Sequence, residues 1–152
     1  MSDKTMGVAG TLRGIALRSK SRAPMDTVEE TGVDAVSGIG GDFRGKSKKR
    51  QVTVLALSGW QAALHELGRP DLPWTTRRAN LLVEGVTLPQ QIGARINIGT
   101  VVLEITMESD PCSRMDEQQP GLRLALTPDW RGGVCCRVVQ GGSIRIGDEV
   151  RC

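Results

Sequence analysis

The sequence predicts a mostly β, barrel-like domain with a few short helices, and three observations lead there. Its apolar runs are short and of strand length rather than helix length. Nineteen glycines punctuate those runs and imply many tight turns. Regular alternation of strands with helices, which a parallel sheet requires, is missing. At 152 residues the chain matches one compact domain with its own core. Residues 1–6 are expected to form a disordered tail and 7–152 the domain.

Each element has its own warrant. Ala9 to Leu17 alternates as a strand does, and Arg18 to Pro24 reads as a basic turn. Met25 to Val36 mixes β-branched residues with acids, giving a second strand and a short third. Gly38 to Asp42 is a glycine-rich turn that opens a basic loop. Gln51 to Leu57 is nearly all apolar and predicts a buried strand. Ser58 is placed as a helix N-cap, with Trp60, Ala63, Leu64 and Leu67 at helical spacing and Gly68 as the stop. His65 lies beside that stripe and reads as a partly exposed helix residue. Pro70 to Pro73 is a rigid connector.

Ala79 to Val86 predicts another strand. Arg95 to Ile98 begins a pattern that Gly99 interrupts and Val101 to Met107 resumes. Cys112 to Leu126 holds one or two short helices, broken at Pro120-Gly121. Val134 to Val139 and Ser143 to Ile146 read as strands joined by a hairpin-like turn at Gln140-Gly141-Gly142. Val150 and Arg151 close the chain.

Composition narrows the function. Hydrophobic residues at 39% and charged residues at 24% describe a soluble globular chain. No apolar stretch approaches the roughly 20 residues of a membrane-spanning helix, and the start lacks the pattern of a secretory signal. A cytoplasmic protein is expected, with no membrane partner. The aromatics are Trp60, Trp74, Trp130 and Phe43, too few for a nucleic-acid stacking platform, so no nucleic-acid partner is expected. The net charge of +3 splits into +4 over residues 1–50 and −1 over the rest. The excess gathers between Arg44 and Arg50, either a solvated loop or a site for a small phosphate-bearing ligand. Cys112, Cys135, Cys136 and Cys152 form no Cys-x-x-Cys pair, which argues against a structural zinc site and a disulfide framework.

Four polar stretches fall at turns, where a rigid scaffold can present them. Asp42, Arg44 and Lys46 flank glycines that let a backbone approach an anion. Arg78 and Asn80 share one face if Ala79 to Val86 is a strand, and pair a guanidinium with an amide. On the same alternation, Arg77 points the other way. Cys112 follows Asp110-Pro111 at a strand end, with Ser113 and Arg114 beside it. Such surroundings suit a thiolate acting as nucleophile, persulfide carrier or soft-metal ligand. Arg131, Gly132 and Gly133 repeat the theme of an anion-tolerant turn. Cys135 and Cys136 lie within a strand, and at least one should be packing.

At these residues the sequence resembles a MOSC domain, the module found at the C-terminus of molybdenum cofactor sulfurases and as stand-alone bacterial proteins. The matching pieces are Gly38 to Asp42, Arg78-Ala79-Asn80-Leu81, Gly99 to Thr106 leading into Pro111-Cys112, Arg131 to Val134, and Gly141-Gly142 to Gly147-Asp148. They come in the family's order and span nearly the whole chain. The resemblance implies a MOSC-type β-barrel that binds the molybdenum cofactor (molybdopterin). By this analogy Cys112 is the catalytic residue and the molybdenum ligand, and Arg78 and Asn80 lie at the cofactor site. Asp42, Arg44, Lys46, Ser113, Arg114, Arg131, Gly132 and Gly133 complete the expected cofactor-binding set.

Relatives reduce N-hydroxylated compounds with electrons from a redox partner, so a small-molecule substrate and an electron-donor protein are implied. The alternative is a non-enzymatic carrier that holds sulfur as a Cys112 persulfide, or holds the cofactor, for a client enzyme. Three departures stand out: no pyridoxal-phosphate domain is expected with this module, a second cysteine near the first is absent where the sequence offers Ser109 and Ser113, and Phe43-Arg44 stands where some relatives carry a histidine.

Overall fold

Seven strands close on one another to form the barrel in the computed structural model, which describes residues 9–152. The expected tail at 1–6 lies outside the described residues. In chain order the barrel strands are β1 (Gly10–Leu17), β5 (Val52–Ala56), β6 (Leu81–Glu84), β7 (Arg95–Ile98), β8 (Val101–Glu108), β9 (Val134–Gln140) and β11 (Glu149–Arg151). Around the barrel they run β11-β7-β8-β9-β5-β6-β1, and β1 returns to β11 through Gly10–Val150 and Thr11–Glu149. Closure removes the free edges that a small open sheet would expose.

All of these pairs are antiparallel except β5 with β6. That parallel pair needs a crossover, and helix α1 (Leu57–Leu67) supplies it. The alternation along the two strands explains why both are so apolar. Val54 and Leu81 face the barrel interior with Leu12, Ile98 and Ile105. Their neighbours Leu55 and Leu82 face outward, against Trp60, Leu64, Leu122 and Leu126. Fully burying a side chain of this size stabilises the fold by about 1.5–3 kcal/mol, so two cores share one pair of strands.

The outer core is completed by α2 (Ser113–Gln118) and α3 (Leu122–Leu126). The remaining strands are short. β2 (Asp26–Thr27) extends the far end of β1, while β3 (Glu30–Asp34), β4 (Gly38–Ile39) and β10 (Gly142–Arg145) form a separate three-stranded sheet. Among the described residues no helix is long and apolar enough to cross a membrane.

Three local expectations are corrected. The helix starts directly from β5, with Ala56 rather than Ser58 at the N-cap and no side-chain cap, while Gly68 ends it in a left-handed conformation as expected. β9 and β10 do not pair as a hairpin. Both edges of β9 are already taken by β5 and β8, so β10 pairs instead with β3. The strand expected from Ala79 begins at Leu81, and Trp74–Arg77 forms a 3-10 turn that ends at Arg78 in a left-handed conformation, φ +67°.

Candidate functional site

That last correction builds the site. A strand would send Arg77 and Arg78 to opposite faces, whereas the turn lets both side chains reach one cleft. The cleft opens where several strands end, and six arginines line it: Arg18, Arg44, Arg50, Arg77, Arg78 and Arg114. They come from the end of β1, the basic loop, the 3-10 turn and α2. Thr53, Ser109, Asp110, Cys112, Met115 and Cys135 complete the wall, around a cavity of about 100 Å³.

Arg77 is buried, at 8% exposure, yet no carboxylate lies in contact with it among the described residues. Its Nε donates to the Gly132 carbonyl at 3.0 Å, and its Nη2 donates to the Ser109 carbonyl at 2.7 Å and hydroxyl at 2.9 Å. Nη1 faces the Met115 sulfur at 3.7 Å. Burial pulls its pKa below the usual arginine value, against the opposing influence of Cys135, Cys112 and Asp110. The guanidinium therefore ties the loop carrying Cys112 to the turn before β9.

The other cations crowd one another. Arg18 is lowered first by burial, then by the charges of Arg78 and Arg44, while Asp42 opposes. Burial and the charge of Arg114 lower Arg78. None of the six arginines makes an ion pair among the described residues. Such a gathering of like charge raises the energy of the empty cleft and lowers it for an anion. Phe43 stacks near the Arg18 guanidinium, 5.8 Å from ring centroid to Cζ.

The expected site residues divide into two groups. Cys112, Arg44, Arg78 and Arg114 are brought together in the cleft. Asp42 is buried, and its carboxylate accepts from the backbone N–H groups of Arg18 at 3.0 Å and Arg44 at 3.1 Å, so it positions two cleft arginines. Asn80 is buried and spends its amide on the scaffold: Oδ1 accepts from the Thr53 N–H, and Nδ2 donates to the Ala16 carbonyl. Because Asn80 precedes the strand, the shared face with Arg78 does not exist. Gly132 presents its carbonyl to Arg77, and Gly133 turns the chain at φ +96°.

Three others lie elsewhere. Lys46 lines a separate cavity of about 490 Å³ with Val36, Lys48 and Arg137. Arg131 pairs with Glu66 at 2.7 Å and lines a third cavity. Ser113 is exposed at the start of α2.

Sequence reasoning missed Arg18, Arg50, Arg77 and Cys135. Cys135 and Cys136 are strand neighbours, so Cys136 enters the barrel core and Cys135 faces the cleft. The alternation itself could have placed one of them there. Burial raises the Cys135 thiol, while the Ser109 hydrogen bond, Arg50 and Arg77 oppose the shift. No three His, Cys, Asp or Glu side chains among the described residues cluster as a metal site. A metal at Cys112 must therefore bring most of its ligands with it.

The cleft and its scaffold thus define a β-barrel protein in which the exposed Cys112 thiol shares a cleft with six arginines that make no ion pair among the described residues. The sequence matches the MOSC domain family over residues 40–151, and the chain belongs to that family. Among solved structures, the YuaD protein from Bacillus subtilis is similar at 21% identity and a TM-score of 0.81, with 95% of each chain covered. YiiM from Escherichia coli shares 12% identity with a TM-score of 0.72, over 95% of this chain and 69% of that one. YiiM from Geobacillus stearothermophilus shares 18% identity with a TM-score of 0.66, over 94% and 73%. At these identities the likeness is one of fold. No curated protein matches the sequence.

Proposed function

We propose that the cleft binds the molybdenum cofactor and that the protein reduces N-hydroxylated small molecules, taking electrons from a donor protein. The observation that carries this reading is the set of arginines that make no ion pair among the described residues, gathered around the exposed Cys112 thiol. The donor set fits the group: a soft thiolate suits molybdenum, the arginines suit a pterin phosphate, and the ligand-poor surroundings suit a metal that arrives already held.

Arg44, Arg78 and Arg114 would hold the phosphate, and the Cys112 Sγ would bind the metal. Arg77 has a different task, since its donors fix Ser109 and Gly132 and so set where the Cys112 loop lies. Asp42 serves by holding the backbones of Arg18 and Arg44. Asn80 holds Thr53 on the cleft wall. When bound, the cofactor would supply the two-electron transfer by which an N–OH group, taking up two protons from solvent, becomes N–H and water, and the chain supplies binding and electrostatics.

Molybdenum content tests the reading, by elemental mass spectrometry after expression in a host that makes the cofactor. Near-stoichiometric metal in the wild type that is lost in Cys112→Ser is expected. No metal in either protein, with synthesis in the host verified, overturns it. In that case an added mass of about 32 Da on Cys112 would identify a persulfide and the carrier role.

A further inference from the structure

The basic loop between β4 and β5 has a second side. Five of the seven residues from Arg44 to Arg50 are cationic and none is acidic. Arg44 and Arg50 line the arginine cleft, whereas Lys46 and Lys48 line the separate cavity of about 490 Å³. Lys46, Lys48, Lys49 and Arg50 are exposed, and none of the four makes an ion pair among the described residues. Arg137, on the same cavity, pairs with Glu104 at 3.2 Å. Glu104 also faces Arg95 at 3.8 Å, so one carboxylate serves two arginines.

The loop is built to hold its cations in place. Buried Gln51 donates from Nε2 to the Gly45 carbonyl at 2.9 Å and the Ala35 carbonyl at 3.0 Å, and its Oε1 accepts from the Val138 N–H at 2.7 Å. One amide thus fastens the loop, the β3–β4 turn and β9 together. The Ser47 Oγ accepts from the Arg50 N–H at 3.2 Å, and the Thr106 hydroxyl donates to the Lys49 carbonyl. Gly45 packs so closely on the turn that a Cβ would stand 1.8 Å from the Ser37 carbonyl oxygen. A charged surface fixed in this way loses little further freedom when a partner binds.

An apolar side chain stands beside these charges. The Asp34 carboxylate accepts from the N–H groups of Val36 at 2.7 Å and Ser37 at 3.0 Å. The turn it closes leaves Val36 77% exposed on the same cavity. An apolar centre within a polar rim is the anatomy of a protein interface. No aromatic side chain lines the cavity, so it offers a nucleobase nothing to stack on.

We infer that this face docks an acidic protein, with Val36 at its centre and Lys46, Lys48, Lys49 and Arg50 around it. The inference deepens the proposed function and rests on its reading that electrons come from a donor protein: the partner is that donor, and its docking surface is acidic. Arg50 is both an exposed cation of the loop and a residue of the cleft wall, so a protein docked here stands at the cleft. Charge complementarity steers the encounter and fixes its orientation without a large interface, which suits a partner that must leave again.

Titration of the isotope-labelled protein with oxidised flavodoxin, an acidic electron-transfer protein, tests it by amide shifts in solution. Shifts are expected at residues 35–37, 46–51 and 137–138, with affinity falling about tenfold between about 50 and 500 mM salt. Lys48→Glu combined with Lys49→Glu should weaken binding about tenfold, Val36→Asp about fivefold, and Arg123→Glu on α3 less than about twofold. All four side chains are exposed, and an unchanged urea midpoint checks that the variants fold. Shifts centred elsewhere, equal binding of cytochrome c (a basic protein), tighter binding of a uridine decamer, or no binding of flavodoxin overturns the inference. Molybdenum content of the double lysine variant should equal that of the wild type, and its loss would place these lysines at the cofactor instead. Failure to dock with wild-type metal content overturns this inference alone.

Discussion

Arg77 and Ser109 are joined twice, through the Ser109 carbonyl at 2.7 Å and its hydroxyl at 2.9 Å, while the same guanidinium reaches Gly132. One side chain thus fixes the two loops that frame Cys112. Arg77→Ala leaves buried carbonyls without a donor and is expected to cost about 3–5 kcal/mol. Arg77→Lys keeps the charge, but one ammonium cannot span Gly132 and Ser109, so about 2 kcal/mol should still be lost. Urea denaturation checks both, with the midpoint falling at unchanged slope.

Gly133 is required for steric reasons as well as torsional ones. A Cβ there would lie 2.2 Å from the Val54 carbonyl oxygen, and the backbone stands at φ +96°. Gly41 also has positive φ, at +84°, but a Cβ there meets nothing within 4 Å. Gly133→Ala is therefore expected to cost at least about 2 kcal/mol more than Gly41→Ala. Thermal melts of the two variants compare them directly, and equal losses would contradict the clash.

Asn80, just before β6, connects β5 and β1 by hydrogen bonds to Thr53 and Ala16. Asn80→Ala should cost about 2–4 kcal/mol, since it strands those partners in a buried place. Asn80→Asp retains the acceptor for the Thr53 N–H but aims a second carboxylate oxygen at the Ala16 carbonyl. It should be the less stable of the two at neutral pH, by denaturation midpoint.

The four thiols should separate by reactivity. Cys112 is exposed, whereas Cys135 and Cys136 are buried and burial raises both thiols. A raised thiol remains protonated, and so unreactive, to higher pH than a free cysteine. Burial also raises Cys152, which is exposed. Iodoacetamide at pH 7.5 is expected to modify Cys112 first and Cys136 only after unfolding, as peptide mass mapping would read. Raising the pH within the native range should bring in Cys152 before Cys136.

Much of the site was written in residue type and order. Arg44, Arg78, Cys112 and Arg114 could be named because basic residues and a thiol at turns carry recognisable chemistry. Arg77 could not, because a strand reading sent it to the wrong face. The Trp74–Arg77 turn replaced that strand, ending in a left-handed residue that no local apolar pattern signals. Lys46 was misplaced for a related reason. It is two residues from Arg44, yet the loop turns between them and delivers the two cations to different cavities.

The sequence by itself determined the barrel class, most strand positions and a short helical stretch after Cys112, because alternation and glycine punctuation are local. Which strands pair was decided only by the tertiary structure. β10 left β9 for β3 because both edges of β9 were filled by strands remote in the chain. The convergence of six arginines was decided in the same way. Like charges gather against their mutual repulsion only where a closed barrel and its buried hydrogen bonds hold them, and no run of residues carries that information alone.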